Sequence, residues 1–361
     1  MNLTRRTKII IATGFCVLAA LLLLLNLKEI IKNSPQYFGY RGQDLFGVYT
    51  SKLDGRHFAK LLSDPLKEMS HVRFAPDGSK ITLTRYNRIL SSGLAEENGS
   101  DYLNTEIMVA NADGTELKSL TKTGPAVMNA NSSWIDNERL IYVHTDDVHS
   151  KLPELRVLNI ATKQEQRVPT PPNLAVADPT CKNDTLVFPV VQTSTDASAC
   201  NPLWIANLSG AGLKQLTNPV ITKPIMPLQF KLGDYDPWLS PDGSSVAFMR
   251  YSGGTDWRVY TVDVDTRVER ELTPPGIACG IPKWSNDGKS IIYVSWDTSD
   301  LKKLGLYLID PTGANKRQIA LPAGYLYSHP SFVPDSGQTN TAQIVFSTRR
   351  VPALPGSPPQ E

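Results

Sequence analysis

The sequence predicts an all-β fold: a six-bladed β-propeller closed by a composite N/C-terminal blade and preceded by one N-terminal transmembrane helix. Three observations carry this expectation. A unit of roughly 45–60 residues recurs along almost the whole chain, a period that marks a stacked or radial repeat. Each unit holds two hairpins with recognisable turn chemistry. The array also begins with the second half of a unit and ends with the first half.

The first half-unit is clearest in Asp236–Gly243, D-P-W-L-S-P-D-G, followed by the apolar run Val246–Met249. It returns as P-K-W-S-N-D-G at Pro282–Gly288 and V-R-F-A-P-D-G at Val72–Gly78. Proline presets φ at the first turn position, Asp caps the turn and Gly takes positive φ. Weaker copies bring the set to six, centred on Phe74, Trp134, Cys181, Leu239, Trp284 and Phe332. The second half-unit is another hairpin, often ending in Leu-Thr, at Ile107–Thr121, Leu155–Val168, Leu203–Thr217, Arg258–Thr273, Leu306–Leu321 and Phe46–Leu62.

The terminal halves, Phe46–Leu62 and Ser331–Phe346, have no partner adjacent in sequence. Closing the ring joins them as one four-stranded blade and removes the open strand edges a β repeat would otherwise expose. Five continuous blades and one composite blade make six. A linear solenoid would need capping repeats instead, and none is visible.

Ahead of the ring, Arg5, Arg6 and Lys8 precede Ile9–Leu25, an uncharged run that Asn26 and Leu27 extend. The expected organisation is a cytoplasmic segment 1–8, a transmembrane signal anchor 9–27, a spacer 28–43, the propeller 44–350 and a proline-rich tail 351–361. Basic residues before the span place the N-terminus in the cytoplasm and the propeller outside. An A-x-A-like cleavage site, which a removed signal peptide would show, is not evident after the run.

Charged residues are 20% of the 361 and the net charge is +2, which offers no basic face for nucleic acid. The 27 prolines and 24 glycines suit many short strands and tight turns. An oxidising compartment would permit a Cys181–Cys200 bridge, although both residues equally suit small buried apolar positions. There is no C-x-x-C pair, G-x-S-x-G elbow, Walker loop, dinucleotide fingerprint or H-E-x-x-H.

Aligning the six first strands on their Trp/Phe position exposes a column three residues earlier: His71, Asn131, Asp178, Asp236, Ile281 and His329. First strands line a propeller's channel, so the column should form a ring near one mouth, with His71 beside His329 and Asp178 beside Asp236. Two residues later come Arg73, Ser133, Thr180, Trp238, Lys283 and Ser331. The candidate ligand-binding set is therefore His71, Asn131, Asp178, Asp236, His329, Arg73 and Lys283. His71, His329, Asp178 and Asp236 suit a divalent ion; the same residues equally suit a channel filled with water. No other cofactor is expected. Phe74, Trp134, Trp284 and Phe332 read as packing between blades, whereas Tyr235, Trp238, Trp257 and Tyr260 are candidates for a groove floor. Three long segments, Asn87–Asn104, Thr193–Asn201 and the apolar Asn218–Gly233, are where binding to a rigid scaffold usually sits.

The P-x-W-S-P-D-G turn, the apolar strand after it, an I-Y-V-x-D-x-x-G-type hairpin and a closing Leu-Thr resemble the repeat of TolB-type six-bladed propellers over about residues 44–350. TolB's own α/β domain has no counterpart ahead of the ring here. The resemblance implies a non-enzymatic, protein-binding scaffold of a bacterial cell envelope with an envelope protein as partner; the apolar run adds the expectation that residues 9–27 hold it in the inner membrane with its propeller in the periplasm or exterior. The alternative is a carbohydrate-active enzyme similar to oligogalacturonate lyases, which are TolB-like propellers that hold a metal through channel histidines. A sensor that reports ligand through the anchor is a third possibility.

Overall fold

The computed structural model describes residues 46–65, 67–87, 104–192, 199–226, 228, 230–296, 304–334 and 343–350. The expected anchor 9–27, spacer 28–43 and tail 351–361, and most of Asn87–Asn104 and Thr193–Asn201, lie outside the described residues. Among the described residues no helix is long and apolar enough to cross a membrane.

Antiparallel hairpins build six sheets. The first strands of blades 1 to 6 are Met69–Phe74, Met128–Trp134, the interrupted pair Ala175–Val176 and Thr180–Lys182, Gly233–Leu239, Cys279–Trp284 and Tyr325–Phe332. Blade 6 is composite: Ala59–Asp64, Phe46–Lys52, Gln343–Arg350 and Tyr325–Phe332 lie side by side in that order. Phe46 faces Arg349 at one end of the closing pair and Lys52 faces Gln343 at the other. Hydrogen bonds of the chain's two ends thus shut the ring.

Blade packing follows from strand alternation, which sends every second side chain to the same face. The residue starting each apolar second strand pairs with the aligned position of the first: Phe74 with Ile81, Trp134 with Leu140, Cys181 with Leu186, Leu239 with Val246, Trp284 with Ile291 and Phe332 with Ile344. Two residues on, Leu83, Tyr142, Phe188, Phe248, Tyr293 and Phe346 are all buried. Apolar clusters fill each of the six blade boundaries. Phe74, Trp134, Trp284 and Phe332 belong to these clusters, as expected of packing residues. The permitted Cys181–Cys200 bridge is not made. Cys181 instead packs between blades 2 and 3, and burial pushes its thiol up to about 12.

The turn chemistry has the expected form. Gly78, Gly243 and Gly288 sit at φ 73°, 77° and 70°, and their N–H groups donate to Ala75, Ser240 and Ser285 carbonyls. The Leu-Thr ending also has a cause. Ile107, Leu203 and Val259 begin the pairing of the third strand with the fourth, and their N–H groups donate to Thr121, Thr217 and Thr273 Oγ1 at 3.0, 2.9 and 2.9 Å. Thr217 additionally donates to Asp234 Oδ2 at 2.6 Å, and this fully buried carboxylate is paired with Arg250 at 2.6 Å. Thr217→Val is therefore expected to cost about 1–3 kcal/mol, because it orphans a buried N–H and removes a donor from a buried charge. Urea unfolding measures this; a loss under about 0.5 kcal/mol would show the hydroxyl to be dispensable.

Candidate ligand site in the central channel

The channel site begins with a backbone irregularity. Pairing between first and second strands slips between Ser70 and Arg73, Ala130 and Ser133, Tyr235 and Trp238, Gly280 and Lys283, and Ser328 and Ser331. Blade 3 has its strand break at the same place, between Val176 and Thr180. The six residues of the aligned column occupy these irregularities with positive φ: His71 53°, Asn131 56°, Asp178 35°, Asp236 46°, Ile281 52° and His329 47°. A bulge re-aims a side chain out of the strand's alternation. The left-handed conformation is also best tolerated, after Gly, by Asn, Asp and His. The polar column thus has a backbone cause in addition to any ligand. Ile281 is the exception, a β-branched residue in a conformation that costs roughly 1–3 kcal/mol.

The column converges as expected. The His71 and His329 rings lie 3.9 Å apart between centroids, and each Nδ1 is held by the preceding serine hydroxyl, Ser70 at 2.7 Å and Ser328 at 2.8 Å. Asn131 Nδ2 donates to Asp178 Oδ1. Ligand atoms of His71, Asp178 and Asp236 all lie within 4.8 Å of one another. His329 stands outside this trio, so three of the four candidate metal ligands group together.

The next layer is cationic. Arg73 reaches from blade 1 to the ring of Trp238 in blade 4, its guanidinium carbon 4.6 Å from the centroid, while Nη1 donates to Ser132 O at 2.8 Å. Lys283 Nζ lies 4.5 Å from the same ring. Arg73 and Trp238 of this layer line a cavity of about 330 Å³ that also includes Pro76, Pro241, Pro334 and Asn286 of the tight turns. The cavity is lined by Arg73, Ser133, Thr180, Trp238 and Ser331, but not by the column itself. The column therefore lies behind the Arg73–Trp238 layer as seen from the tight-turn face.

Burial dominates the electrostatics. It pushes the Asp178 carboxyl up to about 8, helped by the charge of Asp236, and raises Asp236 as well. It lowers Lys283 to about 7, with Arg73 adding to the shift, and Arg73 to about 10. His71 is held well below its usual range by burial and then by His329; His329 is lowered to about 3 by burial and then by Lys283 and Arg73. These shifts favour uncharged imidazoles and a proton held by the carboxyl pair at neutral pH. Arg73 Nε, Lys283 Nζ, Asn131 Oδ1 and Asp236 Oδ1 are buried without hydrogen-bond partners. A concentration of orphaned groups in one channel marks a place for water, an ion or a ligand.

The other aromatic candidates separate. Trp238 belongs to the channel, Tyr235 meets Trp257 edge-on at 5.5 Å, and Tyr260 stacks on Phe248 at 5.7 Å and donates to Glu271 at 2.7 Å. They do not floor one groove. The sequence reading missed the unpartnered indole N–H of Trp284, which lines the cavity. Pattern alone could not have found it, since Trp134 holds the same strand position with its N–H satisfied.

Six blades around a channel that holds buried ionisable side chains define a six-bladed β-propeller with a polar channel. Comparison with solved structures gives the fold its kind: it is a TolB-like propeller. TolB from Acinetobacter baumannii superposes with a TM-score of 0.53 at 15% identity, over 75% of this chain and 62% of that one. Putative TolB from Agrobacterium tumefaciens gives 0.56 at 14% identity, over 86% of this chain and 100% of that one. An oligogalacturonate lyase in complex with manganese gives 0.50 at 14% identity, over 80% and 79%. At these identities the likeness is one of fold. No protein-family model matches the chain, and no curated protein is similar to it in sequence.

Proposed function

We propose that this chain is a membrane-anchored scaffold of a bacterial cell envelope, with its propeller outside the cytoplasm and binding a protein partner through one face. The observation that carries this reading is the segment leading into blade 4. Val220, Ile225, Met226 and Phe230 are 73%, 51%, 69% and 45% exposed. The segment is nevertheless held in place. Ile225 bridges to Gly253, Phe230 meets Tyr251 and Trp257 edge-on, and Leu232 is buried. Antiparallel topology puts this segment on the face opposite the tight turns. An ordered apolar surface of this kind is what a protein partner covers. The uncharged run Ile9–Leu25 after Arg5, Arg6 and Lys8 supports the anchor, and the TolB-like fold supports a scaffold role.

Photo-cross-linking in intact cells from position 226, with position 289 on the opposite face as control, tests the assignment. The expected result is a discrete adduct from 226 alone, lost when Ile225→Asp is added to a chain that still folds. Equal labelling from both positions, or indifference to Ile225→Asp, would sink it.

A second reading, a metal-dependent carbohydrate-active enzyme, is favoured by the His71, Asp178 and Asp236 trio. One imidazole and two carboxylates suit a divalent ion, and Asp236 Oδ1 lacks a partner. These three residues would hold the ion, which would supply Lewis acidity. Against it stand the basic side chains of Arg73 and Lys283 in the next layer. Metal analysis of the purified chain separates the two readings: a stoichiometric ion lost in His71→Ala supports the enzyme, and no ion with no chelator effect on melting removes it.

A further inference from the structure

The cavity on the tight-turn face has a chemistry distinct from both the apolar segment and the acid–histidine layer. Among the described residues its lining includes two cationic side chains, Arg73 and Lys182, and no carboxylate. Ser133, Thr180 and Ser331 add hydroxyls around the floor, and the indoles of Trp238 and Trp284 add apolar wall. Two lining side chains carry donors without acceptors: Arg73 Nε and Trp284 Nε1. Both residues are more than nine-tenths buried, Arg73 at 4% exposed and Trp284 at 7%.

The Trp284 orphan is specific to its blade. In blade 2 the equivalent Trp134 N–H donates across the blade boundary to Arg73 O at 3.0 Å. Trp284 makes no such bond. An N–H buried without an acceptor destabilises the fold, and a buried guanidinium nitrogen without one adds to that. Water can satisfy such groups, but it supplies no charge to balance a cationic lining. Asp178 and Asp236 are not among the residues that line the cavity, so Arg73 Nε and Trp284 Nε1 meet no carboxylate oxygen there.

From these observations we infer that the cavity binds a small organic carboxylate, its oxygens accepting from Arg73 and Trp284 and its apolar body lying against the indole walls. About 330 Å³ is near the lower end of small-molecule sites, which favours a compact acid. An aromatic acid matches the walls best. The site does not depend on the partner-binding reading, which uses the opposite face.

The test uses the full chain in a non-ionic, uncharged detergent. Benzoate is titrated against it, with benzamide as the neutral isostere, by calorimetry and by melting temperature. The expected result is saturable benzoate binding that raises the melting temperature, with benzamide at least about tenfold weaker. Arg73→Gln is expected to weaken benzoate by about tenfold or more. Trp284→Phe removes the N–H group while leaving a smaller aromatic face on the wall and is expected to weaken benzoate several-fold but benzamide much less, which covers the case in which Arg73→Gln fails to fold. A tripeptide ending in Phe, with a free or an amidated C-terminus, distinguishes sources. Tighter binding of the free form than of benzoate assigns the carboxylate to a chain end; benzoate alone assigns it to a free acid. Benzoate and benzamide binding alike, benzoate binding unchanged in folded variants, or no saturable binding by any of these acids to the folded protein would each overturn the inference.

Discussion

Deleting residues 325–361 is expected to abolish cooperative folding of the whole propeller, not to trim one blade from it. The deletion removes both strands that the C-terminal end contributes to blade 6. It leaves Phe46–Lys52 and Ala59–Asp64 as a lone hairpin, which is marginal in water. It also strips two blade boundaries at once. Tyr327, Phe332, Ile344 and Phe346 leave the cluster shared with blade 5, and Val345 leaves the one shared with blade 1. The open ring then exposes unpaired edges at Phe46–Lys52 and fresh apolar surface on both neighbours, a state prone to association. The milder Phe346→Ala keeps the strand and removes a side chain with no solvent exposure; it is expected to cost about 3–5 kcal/mol. Near-UV circular dichroism and urea unfolding check both changes. A truncated chain that keeps a single sharp transition would mean that five blades stand alone and that closure contributes little.

The architecture was legible because its determinants are local. A P-D-G turn needs only Pro, Asp and Gly at adjacent positions, and the strand after it needs only a short apolar run. Three clear copies, three weaker ones and a rotated order therefore specify blade number and composite closure before any contact is known. The Asn183–Asp184 turn of blade 3 was harder to see because non-glycine residues take its positive φ, 47° and 68°. The channel was legible in part. Alignment predicted that His71 would meet His329 and that the two carboxylates would cluster. It did not predict the bulge, although the signal was present: a column of His, Asn, Asp, Asp and His is the composition that positive φ selects. Arg73's reach across to Trp238 and the orphaned Trp284 N–H depend on side-chain length and rotamer in three dimensions, which no repeat alignment encodes. The Cys181–Cys200 bridge failed for a related reason, since compartment and spacing permit a disulfide but only geometry makes one, and Cys181 is committed to the boundary with blade 2.

Asp178→Asn is expected to become progressively more stabilising relative to the unsubstituted protein as pH rises from about 4 to about 8. Burial and Asp236 raise the Asp178 carboxyl from 3.8 to about 8. Between those values the folded chain holds a proton that the unfolded chain has released, so folding takes up a proton and stability falls as pH rises. Asn cannot ionise, so the substitution removes this dependence. Its amide oxygen can still accept from Asn131, as Asp178 Oδ1 does. The stability gap between the two proteins should widen with a slope approaching about 1.4 kcal/mol per pH unit and level off outside the window. The difference curve matters because other groups act with the opposite sign. His329, lowered from 6.5 to about 3, makes the folded state more stable as pH rises through that range, and His71 acts in the same direction. Lys283, lowered from 10.5 to about 7, does so again above neutrality. These contributions are largely common to both proteins and cancel in the gap. Asp236→Asn supplies the control for coupling. Without the neighbouring charge Asp178 should ionise at lower pH, moving the upper end of the widening downward. Urea unfolding at several pH values between 4 and 9 measures all three proteins. Curves that stay parallel across the window would show that Asp178 is already ionised in the folded channel, in which case Arg73 and Lys283 hold both carboxylates charged and the shared proton does not exist.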